Sequence, residues 1–393
     1  MRFVAFVMCC LAAFARIGTA EESVEVTVIT LEGEEKAEKL AGIRTDAFVL
    51  ESGRAAFKDV SEVRFGGADT APPPATIFLR NGDQLKATIL SGDDTKLKLK
   101  NGALGELDLE NHFIDGITFT IKEGPAPDAI DAFMKGAAPK EDLLLLPKGD
   151  TVSGFVERFS DKDLTFNVGG QSRPFAFDAI AAFRLAPLKE YKRPDAFAAT
   201  LLLRDGSQLT GKLGGLKDNA ISFESISGQE WRAETGAIKS ILFQGGKLVY
   251  LSDLKPKEVE EKPYVGGMPV VYGWRKDQAA TGEKLTIAGK TYARGIGVHS
   301  FARLSFDVGG QYAKLLCDVG LDASAPPNAV ASWKIIADGK ELAAGTAKAG
   351  EAAQTVRKEV AGVKTLEFIC DYGSDDDDAG DHLDWANARL IKP

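Results

Sequence analysis

Tyr292-Ala-Arg-Gly-Ile-Gly-Val-His-Ser300 and Gly380-Asp-His-Leu-Asp-Trp385 decide how this chain is read. The first run sets apolar residues against glycines and reads as a strand ending in a tight glycine turn that presents His299. The second is an acidic loop running into a terminal strand, Ala386 to Ile391. Strand-like segments fill the residues between them, with no long helical period. The C-terminal third is therefore expected to be β structure.

The rest of the chain reads the same way. Residues 24 to 251 carry a degenerate repeat, clearest in Thr76-Ile-Phe-Leu-Arg-Asn-Gly-Asp-Gln-Leu85 and Thr200-Leu-Leu-Leu-Arg-Asp-Gly-Ser-Gln-Leu209. Leu143-Leu-Leu-Leu-Pro-Lys-Gly-Asp-Thr-Val152 is a third start, and a divergent one lies near Val26 to Leu40 with Gly33 at its turn. Closing strands fall at Val60 to Phe65, Ile114 to Phe119, Ile180 to Leu185 and Ile238 to Phe243. Asn-Gly and Asp-Gly supply the positive φ that a hairpin needs. Lys96-Leu-Lys-Leu-Lys100 alternates fully, so one of its faces is charged and the other buried. Four such units, at 21–67, 75–121, 140–186 and 198–251, predict small SH3-like or Sm-like barrels; pairing into sandwiches is the other arrangement open to them. Linkers lie at Ala71-Pro-Pro-Pro74, at Gly124-Pro-Ala-Pro127 ahead of a helical patch at Asp128 to Lys135, and at Leu188 to Pro194. The charged stretch Lys255 to Pro263 is read as the border of a last domain, 255–393.

The bulk numbers narrow the partners. A chain of 393 residues, 44% hydrophobic and 27% charged, suggests several folded domains. Its net charge of −9 argues against nucleic acid and against anionic membrane surfaces. Arg2, the apolar run Phe3 to Ala15 and Gly18-Thr19-Ala20 form a signal peptide, 1–20, cleaved before Glu21. Val7-Met8 ahead of Cys9-Cys10 argues against a lipid-attachment site. No later stretch has the ~18 unbroken apolar residues of a membrane helix. Export permits a disulfide between Cys317 and Cys370, and two buried thiols are the alternative.

The order Asp277 to Leu285, Gly295-Ile-Gly-Val-His-Ser300, Asp318-Val-Gly-Leu-Asp322, Asp338-Gly339 and Asp381-His-Leu-Asp-Trp385 resembles the NPCBM domain. That is a carbohydrate-binding-module family of secreted bacterial proteins, including family 98 glycoside hydrolases. The likeness covers about residues 248 to 393, with Val249 to Pro256 similar to the lead-in often seen before the module. It implies a galactose-binding-like jelly roll, similar to carbohydrate-binding module family 51, with galactose-type ligands.

Sugar sites stack a ring on the apolar face of a pyranose and bond its hydroxyls with charged or amide groups. The candidate rings are Tyr272, Trp274, Tyr292 and Trp385, and the candidate hydroxyl partners are Arg294, His299, Asp381, His382 and Asp384. Each also has a structural reading: Trp385 as core, His299 as a pin for the glycine turn, His382 with Asp384 as a clasp. Trp333 alternates with polar neighbours and belongs to the core. Asp375, Asp376 and Asp378 offer hard oxygen ligands for a structural Ca²⁺, or else form a solvated acidic loop.

The chain has three histidines, His112, His299 and His382, and none of the common hydrolase, phosphate-loop or zinc signatures. The expectation is an all-β, non-catalytic carbohydrate-binding protein, secreted, periplasmic or at the cell surface. Its partners would be glycans, with the repeats as spacers or as contacts for cell-envelope proteins. The alternative is a cell-envelope interaction protein whose jelly roll binds no sugar.

Overall fold

The computed structural model describes residues 23–187, 198–244 and 246–393. The expected leader and the linker Leu188 to Pro194 lie outside the described residues. The described residues are all-β apart from short 3₁₀ turns and one α-helix, Pro127–Lys135, that carries proline in its first turn.

Four units precede residue 245, and each has five strands with a 3₁₀ turn before the last. In the first, Val24–Thr30 pairs with both Glu35–Ile43 and Val60–Phe65, and Ala47–Leu50 bridges Glu35–Ile43 to Gly53–Ala56. The strand order is thus 5-1-2-3-4. The long second strand bends at a register shift, which curls the sheet around its core. In the second unit Lys96–Asn101 alternates exposed lysines with buried Leu97 and Leu99. The turn glycines Gly33, Gly82, Gly149 and Gly206 all take φ between 85° and 92°. Asn81 and Asp205 do not share the positive φ. Gly82 N–H bonds Leu79 O and Leu79 N–H bonds Asp83 O, so the glycine alone supplies the left-handed step.

Ladders join the units. Val60–Phe65 pairs with the last strand of the fourth unit, Ile238–Gln244, and Ile114–Phe119 with the last strand of the third, Ala182–Arg184. Gln84 of the second unit pairs with Gln208 of the fourth. The spatial order is therefore 1-4-2-3, and one hydrophobic cluster runs through all four units.

The arginine shared by the second and fourth hairpins explains these partnerships. Arg204 is 5% exposed and donates to the carbonyls of Phe65 (2.8 Å), Gly66 and Gly67 (2.7 Å) in the first unit and of Gly236 (3.0 Å) in its own. Arg80 reaches from the second unit to Leu185 O of the third (3.4 Å) and to His112 O (3.0 Å). The first and third hairpins have Leu31 and Pro147 at this position, so each pair of units holds one such arginine.

Two antiparallel sheets form the C-terminal domain. One runs Arg275–Lys276, Gly295–His299, His382–Ile391, Lys314–Leu321, Gln354–Glu359. The other runs Glu258–Glu261, Ala302–Asp307, Thr365–Tyr372, Val330–Ala337, Lys340–Lys348. Two borders differ from expectation. Leu248–Tyr250, counted above with the fourth unit, pairs with the terminal strand. Glu258–Glu261, read as linker, is an edge strand; its charges and flanking prolines suit an unpaired edge. Cys317 and Cys370 are free, buried thiols and not a disulfide. They sit on facing sheets, Cys317 on Lys314–Leu321 and Cys370 on Thr365–Tyr372, each as a small apolar residue of the core between them. Burial pushes both thiols well above their ordinary pKa.

Arg204→Ala removes the donor to four carbonyls at the joint between the first and fourth units, the buried Phe65 O among them. It is expected to lower unfolding free energy by about 3 kcal/mol or more, against less than about 0.5 kcal/mol for the exposed Arg173→Ala. Urea unfolding of both variants checks this, and a loss below about 1 kcal/mol at Arg204 would contradict the joint's role.

Candidate functional site

The glycine run is a strand rather than a turn. A Cβ on Gly297 would collide with Gln278 O, and one on Gly295 would lie 2.7 Å from Trp385 O. The glycines are needed for close backbone packing, and His299 follows at the strand's end. The terminal strand begins at His382, four residues before the expected Ala386, and pairs His382 with His299.

This pairing brings the two imidazoles side by side, with ring centroids 5.0 Å apart. Tyr272, 38% exposed, covers both edge-on, at 5.3 Å from His299 and 4.7 Å from His382. Nε2 of His299 lies 3.7 Å from a carboxylate oxygen of Asp378. Burial lowers the pKa of His299, with Asp378 pulling the other way. Burial and then His299 lower that of His382. Nδ1 of each ring is buried without a protein partner. Neutral imidazoles of this kind present both a donor and an acceptor.

Tyr272 and His299 line an open cleft of about 370 Å³, with Glu261, Lys262, Tyr264 and Asp378. That size falls within the ~300–1,000 Å³ of small-molecule sites. Exposed apolar residues also line it: Val265 (61%), Met268 (62%) and Val271 (76%). These apolar residues carried no sequence signal of a site. They sit among Gly-Gly and Pro with no strand or helix period, although an apolar run so placed marks an exposed loop.

The other expected site residues are elsewhere. Trp385, 1% exposed, meets Trp333 and Phe368 edge-on at 5.8 and 5.1 Å and belongs to the core. Trp274 is half-buried against that core, and its amide donates to Glu261. Tyr292 is buried beside Leu285 and Ile287, with Asp318 raising its pKa after burial. Arg294 is clamped by Asp253 and by Asp277 (3.0 Å), over the ring of Tyr250. Asp384 is sealed next to Asp322, and both accept from the Thr286 amide. Burial, then Asp322, raises the Asp384 pKa far above the carboxylate range. Asp375 and Asp376 point to solvent, and among the described residues no three His, Cys, Asp or Glu side chains are grouped to hold a metal.

The C-terminal domain is thus a two-sheet antiparallel sandwich with a half-apolar cleft. Residues 247–391 form an NPCBM/NEW2 domain. One curated relative is named "Putative endo-alpha-N-acetylgalactosaminidase", from Renibacterium salmoninarum, 29% identical over 130 residues. The match takes in 30% of this chain and 8% of that relative, so the chain spans a small fraction of its length. A solved module from Clostridium perfringens, CBM51 of GH95 in complex with methyl-galactose, is 25% identical, covering 37% of this chain and 99% of that one at a TM-score of 0.32. The tandem CBM51 modules of a family 98 glycoside hydrolase from Streptococcus pneumoniae are 14% identical, covering 94% and 88% at a TM-score of 0.32. Among the described residues no helix is long and apolar enough to cross a membrane.

Asp381 supplies a test of this end of the domain. It is fully buried, and its carboxyl is pushed up to about 7 by burial, against the Ser300 hydroxyl bond (2.6 Å), with Asp375, Asp377 and Asp378 raising it further. A folded value above the ordinary ~3.9 means the uncharged acid suits the fold. Its contribution is complete below about pH 4 and is lost as pH rises through about 7. The stability difference between Asp381→Asn and the parent should therefore grow in favour of the variant from about pH 4 to pH 8. Thermal melts across that range check it, and parallel curves would refute it.

Proposed function

We propose that this protein is a non-catalytic glycan binder, exported to the periplasm or cell surface, whose cleft at Tyr272 takes a galactose-type sugar. The observation that carries the reading is the cleft itself. It joins an exposed ring, Tyr272, to polar groups that line the same cleft: His299, Asp378, Glu261 and Lys262. Tyr264 gives a second ring on the same cleft. The family identity of residues 247–391 supports a sugar-binding role, and the galactose preference follows the family resemblance. Export rests on the leader expected at residues 1–20, and glycans are the expected partners.

A binder fits better than a glycosidase. Glycoside hydrolysis needs a pair of carboxyl groups flanking an accessible bond. Asp381 and Asp384, the acids nearest the histidine pair in sequence, are 0% exposed, and the two acids that line the cleft, Glu261 and Asp378, are read as hydroxyl partners of a bound sugar. The four N-terminal units then serve as a rigid spacer, with cell-envelope proteins as further contacts.

A glycan array with the leaderless chain, with and without calcium, tests the reading. Galactose- or N-acetylgalactosamine-terminated glycans should bind, and Tyr272→Ala should weaken binding at least about tenfold, some 1.4 kcal/mol. Trp385→Phe should leave binding intact, because Trp385 is core. A blank array from folded protein would favour an interaction protein whose sandwich has no sugar ligand.

A further inference from the structure

We propose that the seam between the first unit and the sandwich is a binding site for a small oxyanion, a carboxylate, sulfate or phosphate group, held by Arg389 and Arg357. A recess of about 120 Å³ lies there, walled by Glu32, Gly33 and Arg64 on one side and by Asp318, Arg357 and Arg389 on the other. It shares no residue with the Tyr272 cleft.

Arg389 is 5% exposed, and its Nε donates to Leu31 O across the seam (3.1 Å). Among the described residues no carboxylate lies within ion-pair distance of Arg389 or of Arg357. The ends of the two guanidinium groups converge on Gly33. A Cβ there would lie 2.7 Å from Nη2 of Arg389 and 3.8 Å from Nη2 of Arg357. The acids in the wall already have partners. Glu32 meets Lys314 (3.3 Å), Glu35 meets Arg64 (3.0 Å), and Asp318 takes the Thr355 hydroxyl (2.8 Å) and Lys290 (3.7 Å).

A buried cation without a counter-charge is costly, and removing the cost takes an anion. Two guanidinium forks on one point suit the paired oxygens of a carboxylate or sulfate. The recess has room for about four waters by liquid volume and is smaller than the ~300 Å³ at which organic-ligand pockets begin. An inorganic oxyanion or the acid group of a larger molecule fits; a whole saccharide does not. Because the two arginines belong to the sandwich and Gly33 to the first unit, the bound anion would also tie the two parts together.

Calorimetric titration and thermal melts of the leaderless chain with sodium sulfate, phosphate, acetate and glucuronate, against sodium chloride at matched ionic strength, test the proposal. The expected result is saturable binding at about 1 mM or tighter, with a raised melting temperature. Arg357→Gln, on an exposed edge strand where folding is safe, should weaken binding at least about tenfold. Arg389→Lys should weaken it too, and Tyr272→Ala should leave it unchanged. Binding of sulfate and phosphate alone would point to a free inorganic ion, and binding of acetate and glucuronate to an acid group on an organic ligand. No saturable binding above the chloride control, or equal binding by Arg357→Gln, would overturn the proposal. Neither outcome bears on the glycan reading, which fails only on the array.

Discussion

The terminal strand His382–Ile391 changes face halfway along, and the rest of the C-terminal domain depends on that change. Before Asn387, the odd residues Leu383 and Trp385 point into the sandwich core. After it, Ala388 and Leu390 do so. Asn387 has φ of 51°, and the ladder to Lys314–Leu321 slips a register between Leu316 and Asp318. One residue is thus inserted against its partner, as in a β-bulge. The change of parity puts His382 and Asp384 on the outer face at one end, under Tyr272 and Thr286, and Arg389 and Ile391 on the outer face at the other. Without the bulge, the arginine that reaches Leu31 would point into a core of Trp333 and Phe368.

The same strand explains why carboxyl and imidazole groups are buried in an acidic protein. Its outer face is covered by irregular segments, and those segments need hydrogen-bond acceptors for their amides. Asp384 and Asp322 serve the Thr286 amide, Asp381 serves Ser300, and Asp277 serves Gly295. These acids act as acceptors that pin loops to a sheet, and for Asp381 and Asp384, whose pKa burial raises, the protonated acid does this at lower desolvation cost than a carboxylate. Reading them as sugar contacts mistakes the scaffold of the site for its surface. The cleft itself is lined by His299, Tyr272 and the exposed apolar loop around Met268.

Period-two patterning was enough to find strands such as Val60–Phe65, Ile114–Phe119 and Lys96–Asn101, because burial on one face leaves its mark on alternate residues. The turn glycines were legible for a similar reason, since a left-handed step excludes most other residues. The unit order 1-4-2-3 was not legible. It rests on Arg80 and Arg204 bonding carbonyls more than a hundred residues away, and a backbone carbonyl leaves no mark on sequence. The two arginines stood out as matching positions of the hairpins, but their partners did not. Trp385 shows the other limit. A tryptophan after an acidic turn is equally consistent with a sugar platform and a core, and only the opposing Trp333 and Phe368 decide it.

The position of the first unit follows from what it lacks. At the hairpin site where the second and fourth units carry an arginine, the first carries Leu31, which packs with Leu248, Tyr250, Leu316 and Ile391 of the sandwich. An arginine there would bring a second buried cation beside Arg389. The leucine instead offers an apolar side chain to the sandwich and its carbonyl to Arg389. The first unit therefore receives an arginine on each side, Arg204 from the fourth unit and Arg389 from the sandwich, while donating none from this position. That makes it the joint through which the four-unit scaffold is fixed to the domain bearing the cleft. A change at Leu31 or Gly33 should thus act on how the cleft is held without touching a residue that lines it.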